Sequence, residues 1–146
     1  MIAELAAPTV ELVERLLSSA RRRAEAAGIR INVAVVDGAG NLAGFLRMPG
    51  SFLSSAELAI DKAYTAASFA MTTRGFSELL ATSPGPVRDG LLRRPRLTEV
   101  PGGHPIVIDG RMTGAIGVSG GSAEEDENVA ATALASIAVG VVSGRE

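Results

Sequence analysis

The stretch that decides the fold spans residues 101–128: Pro-Gly-Gly-His-Pro-Ile-Val-Ile-Asp-Gly-Arg-Met-Thr-Gly-Ala-Ile-Gly-Val-Ser-Gly-Gly-Ser-Ala-Glu-Glu-Asp-Glu-Asn. Two apolar runs flank Asp109-Gly110, a dipeptide that favours a two-residue hairpin turn because both of its residues tolerate positive φ. The second run carries Gly114, Gly117, Gly120 and Gly121. Glycine weakens a strand, so its recurrence predicts that something approaches the backbone closely. Ser122, with Glu125 three residues on, has the pattern of a capping box and opens a helix. A hairpin thus feeds a helix N-terminus through a glycine pair, and it carries the only histidine of the chain, His104.

Working outward, Val129, Ala133, Leu134, Ile137, Ala138 and Val141 give that last helix an apolar face, and residues 144–146 read as a frayed tail. At the other end, Thr9 can cap a first helix. Its apolar face is Val10, Val13, Leu16, Leu17, Ala20, Ala24 and Ala27, and Gly28 stops it. The arginines 21–23 fall mostly on the opposite, solvated face. Residues 31–36 and 42–47 read as strands joined by the turn Asp37-Gly-Ala-Gly-Asn41, a first hairpin. Ser54 or Ser55 can cap a helix from about residue 56 to 71 whose stripe of small residues suits close packing, and Thr72 or Thr73 a shorter one over 74–81. A short helix is expected at 87–93, and residues 97–100 read as a short edge strand leading to the opening stretch.

These elements predict one α+β domain over residues 1–146, a five-stranded antiparallel sheet with helices packed on it, in the order α-β-β-α-α-β-β-α. The chain is 47% apolar but only 3% aromatic, so the core must be built of Ala, Val, Ile and Leu. Its net charge of -2 argues against a nucleic-acid partner. Without cysteine, disulfides, thiolate metal sites and cysteine nucleophiles are excluded. The start, Met1-Ile-Ala-Glu-Leu, lacks the marks of a signal peptide, and no run is long enough to span a bilayer, so a cytoplasmic protein is expected.

Several residues carry candidate chemistry. His104 can ligate haem iron or move a proton, its reference pKa being near neutral, although a lone loop histidine is more often simply exposed. Lys62 is the only lysine among 14 basic residues and sits on the alanine-rich helix. If it faces the sheet it needs Asp61, Glu57 or a ligand carboxylate as partner. Tyr64 can donate from a pocket wall or pack as an ordinary core aromatic. Arg47 can clamp a carboxylate or a haem propionate. The amides around Gly120 and Gly121 suit an anion at a helix start. Against that stand Glu124, Glu125, Asp126 and Glu127, which already complement the helix dipole and repel a second anion.

A family resemblance joins these residues. Val33-Ala-Val-Val-Asp-Gly-Ala-Gly-Asn-Leu, Phe45-Leu-Arg-Met, Ala59-Ile-Asp-Lys-Ala-Tyr-Thr-Ala-Ala, Gly102-Gly-His-Pro-Ile, Val107-Ile-Asp-Gly and Gly114-Ala-Ile-Gly-Val-Ser-Gly-Gly, with Asp126-Glu127 beyond, resemble in order and spacing the GlcG/HbpS-like family, the haem-degrading or DUF336-type domain family. The resemblance covers nearly the whole chain and implies a five-stranded antiparallel sheet, homo-oligomers from dimer to octamer, and haem binding in some members. Lacking an export signal, the chain looks closer to the GlcG side. Two positions depart from the family pattern: Pro49 stands where an Asp is common after Arg-Met, and His104 where an apolar residue is common before Pro-Ile.

The expectation is a small-molecule or haem-binding protein, with its pocket between the second hairpin, the Lys62 helix and a neighbouring subunit. His104 would be the iron ligand, and Arg47 or Lys62 would pair a carboxylate, with Gly120 and Gly121 as cofactor contacts. The alternative is a cofactor-free isomerase, lyase or hydrolase acting on a small organic acid or carbonyl compound, with Lys62, His104 and Tyr64 in its site. No membrane partner is expected in either case.

Overall fold

The computed structural model describes residues 7–143, and side chains up to residue 138. The expected tail at 144–146, the start at 1–5 and the side chain of Val141 lie outside these limits. The chain runs α1 (Val10–Ala27), β1 (Asn32–Asp37), β2 (Leu42–Arg47), α2 (Ser55–Phe69), α3 (Thr73–Ala81), α4 (Gly85–Leu92), β3 (Gly103–Ile108), β4 (Arg111–Ser119) and α5 (Ala123–Ser143). The described strands form one antiparallel sheet in the order β2-β1-β4-β3.

Local chemistry accounts for most boundaries. The Thr9 and Thr72 hydroxyls accept the N–H groups of Leu12 and Gly75, each supplying a partner that a helix start lacks. Ser54 stands at the N-cap of α2 without a side-chain capping bond. At α5 the capping box closes both ways: Glu125 N–H donates to Ser122 Oγ, and Ser122 N–H donates to Glu125 Oε1. Asp109 and Gly110, with φ of 51° and 75°, turn β3 into β4 as the sequence predicts.

β1 is apolar without alternation because both faces of the sheet are covered. Val33 and Val35 pack with Ile106, Ile116 and Val118 under α1 and α5, whose Leu16, Ala20, Ala24, Val129, Ala133 and Ile137 complete the larger core. Ala34, Val36 and Ala115 face α2 through Ala59, Ala63, Ala66 and Ala67. Each fully buried Leu, Ile or Val contributes about 1.5–3 kcal/mol, so the α1/α5 side carries most of the hydrophobic stabilisation. The alanine side trades anchor size for proximity. A Cβ placed on Gly117 would overlap the Ala59 carbonyl and lie 2.6 Å from the Ala63 nitrogen.

The fifth strand expected at residues 97–100 is not present, and the sheet has four strands rather than five. Thr98 N–H donates to Thr65 Oγ1 of α2, Thr65 Oγ1 donates to the Arg96 carbonyl, and Val100 N–H donates to Thr98 Oγ1. Side chains thus take the Thr98 and Val100 N–H groups that a ladder would have used, and Thr65 ties the segment to α2 instead of the sheet edge. The short helix expected at 87–93 is present as α4, Gly85–Leu92, entered through Pro84 and Pro86, so three helices lie between the hairpins where the order α-β-β-α-α-β-β-α has two.

Candidate functional site

Because α2 lies so close to β4, the lysine on its buried face has no route to water. Lys62 is 0% exposed. Its Nζ donates to the Val118 carbonyl at 2.8 Å and to Asp126 Oδ2 at 3.0 Å. The other carboxylate oxygen of Asp126 accepts the Gly121 N–H at 2.9 Å. The pair therefore pins α2 to the end of β4 and the first turn of α5. Burial pushes Lys62 down from its ordinary range and Asp126 up, and in each case the partner's charge opposes the shift. Gly102 closes this space, since a Cβ there would lie 2.5 Å from the Val118 oxygen and 2.9 Å from Nζ.

Neither Asp61 nor Glu57 is the lysine's partner. Asp61 faces the Arg96 charge, and burial raises its carboxyl above the ordinary range against that charge. Sequence reading missed Asp126, although a four-residue acidic run exceeds what one helix dipole uses.

Beside this buried pair lies a second group. Glu127 accepts two bonds from Arg74 Nε, at 2.9 and 3.0 Å, and one from Nη2 at 2.7 Å, joining α3 to α5. This guanidinium contact holds Glu127 below the usual carboxylate range, with His104 and Lys62 adding to the effect. Thr73 Oγ1 accepts the Gly103 N–H at 3.0 Å and fixes the start of β3. His104 follows on this edge strand, opposite Ile116 and two residues before the core residue Ile106. Burial lowers its pKa against the pull of Glu127, which favours the neutral imidazole. Its Nε2 is buried and has no hydrogen-bond partner among the described residues.

Of the residues singled out from sequence, Lys62, His104 and Gly121 gather at the first turn of α5, while Arg47 and Tyr64 do not. Arg47 ends β2 at the opposite edge of the sheet and donates to the Ser51 carbonyl at 2.7 Å. Tyr64 points toward the segment after α4, where the Arg96 guanidinium lies 3.7 Å from its ring centroid. At Gly120-Gly121 the amides of Gly121 and Ser122 are taken by Asp126 and Glu125, so capping uses the groups that an anion would need.

The chain has relatives in sequence and in fold. Residues 9–135 match the model of the family described as haem degrading protein HbpS-like. A Citrobacter freundii 15.0 kDa protein, encoded between dhaT and dhaS, is 36% identical over 127 residues, covering 81% of this chain and 88% of that one. The corrinoid adenosyltransferase PduO of Salmonella typhimurium is 35% identical over 130 residues, which cover 88% of this chain; the match spans 38% of the length of PduO. Among solved structures, HbpS superposes with a TM-score of 0.83 at 32% identity over 92% of each chain. The PduOC:haem complex does so with a TM-score of 0.82 at 30% identity over 88% of this chain and 94% of the other.

Proposed function

The chain belongs to the HbpS-like haem degrading protein family, and on that premise we propose that it binds haem, or a small molecule of similar character, at the outer edge of β3, with His104 as the iron ligand. The observation that carries this reading is the His104 imidazole, held neutral by burial, with its Nε2 lacking any partner among the described residues. A neutral imidazole nitrogen with a free lone pair is what an axial ligand needs, and a buried polar atom left unsatisfied calls for an explanation. The similarity to the PduOC:haem complex supports the same ligand class. A bound haem would supply the iron chemistry; this chain would supply the axial nitrogen and its desolvated surroundings.

The seam between the second hairpin and α2 is close-packed at Gly117, so the ligand face in this reading is the outside of β3 rather than that seam. Lys62 is occupied by Asp126, and Arg47 sits at the far edge. Arg47 therefore pairs a propionate only from a second copy of the chain. A homo-oligomer belongs to the same proposal. Its support is the pair of sheet edges, at β2 and β3, that no described strand covers, and the exposed side chains of Phe52 and Leu53. No described helix is long and apolar enough to cross a membrane. The enzyme alternative, with Lys62 as amine nucleophile, gains no support from an Nζ sealed between a carbonyl and a carboxylate.

Titration of the purified protein with haem is expected to give a saturable Soret band. In His104→Ala that band shifts or disappears. An identical spectrum in the variant removes His104 as ligand.

A further inference from the structure

We propose that the groove between the second half of α2 and the segment following α4 binds a small carboxylate bearing a short apolar body. The groove has a volume of about 350 Å³ and is lined by Tyr64, Ser68, Phe69, Arg94, Arg96 and Leu97, among others. That is room for a metabolite-sized ligand.

Three features make it more than a surface dent. First, Arg96 is preorganised. The Thr65 hydroxyl holds both the Arg96 carbonyl and the Thr98 N–H, and the guanidinium stacks on the Tyr64 ring. That ring is in turn backed by the first hairpin turn, where a Cβ on Gly40 would lie 3.0 Å from it. Second, among the described residues neither the Arg94 side chain nor the Tyr64 hydroxyl has a hydrogen-bond or ion-pair partner, so a free cation and a free donor border the groove. Guanidinium groups match a planar carboxylate in two-point fashion. Third, Phe69 and Leu97 offer apolar wall.

A dianion fits less well than a monoanion, because Asp61 stands in the field of Arg96 and Glu57 stands beside Asp61. The groove involves α2 and the segment after α4, while His104 lies on β3, so this inference and haem binding stand or fall separately.

Tyr64 is the only tyrosine and the chain has no tryptophan, so intrinsic emission reports on this groove directly. Titration with butanoate at constant ionic strength is expected to change that emission saturably, and butylamine is expected to have no such effect. Arg94→Ala should weaken the response about tenfold, the worth of one charge-assisted hydrogen bond, and Arg94→Lys should retain part of it. Arg94 is exposed, so both variants are expected to keep the wild-type circular dichroism spectrum. The proposal is overturned if butanoate gives no saturable change, if inorganic phosphate binds as well as butanoate, or if folded Arg94→Ala binds butanoate like the wild type.

Discussion

Lys62 and His104 are both basic side chains drawn toward the first turn of α5, and they meet opposite fates. Lys62 is completely buried, yet its ammonium group has two acceptors and its carboxylate partner has a further donor. His104 as a residue is only half-buried, yet its Nε2 is buried and has no partner among the described residues. Depth alone therefore says little about function. In the reading proposed above, the fully satisfied buried charge is architecture, whereas the buried His104 Nε2, which like Asn32 Oδ1 and Ser119 Oγ has no partner among the described residues, is where a ligand atom would belong. In that proposal the ligand lies on the β3 side of the cluster, while the Lys62–Asp126 pair fastens α2 to β4 and α5.

The sharpest way to break this comparison is to remove the lysine. Lys62→Met strands the Asp126 carboxylate in the interior and should cost about 3–5 kcal/mol in urea unfolding, whereas the double variant Lys62→Met with Asp126→Leu should recover much of that loss. Equal losses in the single and double variants would mean that the charge pair itself, rather than the stranded carboxylate, sets the cost. A smaller effect comes from Gly102, whose φ of 129° and whose contact with the Val118 oxygen and Lys62 Nζ leave no room for a side chain. Gly102→Ala should lower stability by about 1–3 kcal/mol, measured the same way. Wild-type stability in that variant would show that the lid over the ion pair is soft.

The smallest effect concerns pH. Burial holds His104 below its ordinary 6.5, so the unfolded chain takes up the proton more readily than the folded one. Stability contributed by the neutral imidazole is present above pH 6.5 and is lost as pH falls toward the folded pKa. His104→Gln should remove that part of the slope while leaving the carboxylate contributions in place. Unfolding free energies of both proteins at about pH 5.5 and about pH 7.5 measure it. Parallel slopes would mean that the ring is hydrated as well in the folded protein as in the unfolded chain.

Much of this was legible in the chain itself. The Asp109-Gly110 turn, the Ser122/Glu125 box and the Thr9 and Thr72 caps all lie within a few residues of the groups they serve, so the local sequence carries the whole signal. The small-residue stripe of α2 and the glycines of β4 announced a close approach, and Gly117 meets Ala59 and Ala63. The run Leu97-Thr-Glu-Val100 looked equally like a strand, but a hydroxyl on α2 claims the Thr98 N–H and the Arg96 carbonyl just before the run, and no local pattern announces that. At the candidate site His104 stood out by residue type alone. The partner of Lys62 did not, because Asp126 is 64 positions away.

The sequence by itself determined the helix starts that a side chain caps at Thr9, Thr72 and Ser122, where hairpins turn, which faces are apolar and which family the motifs resemble, since caps, turns and periodicities act over one or two turns of chain. Only the tertiary structure decided that the described sheet has four strands, that Lys62 is a fastening and that the buried His104 Nε2 has no partner among the described residues. Those outcomes depend on which distant groups satisfy one another's hydrogen bonds and charges once water is excluded, and that pairing exists only when the elements are packed.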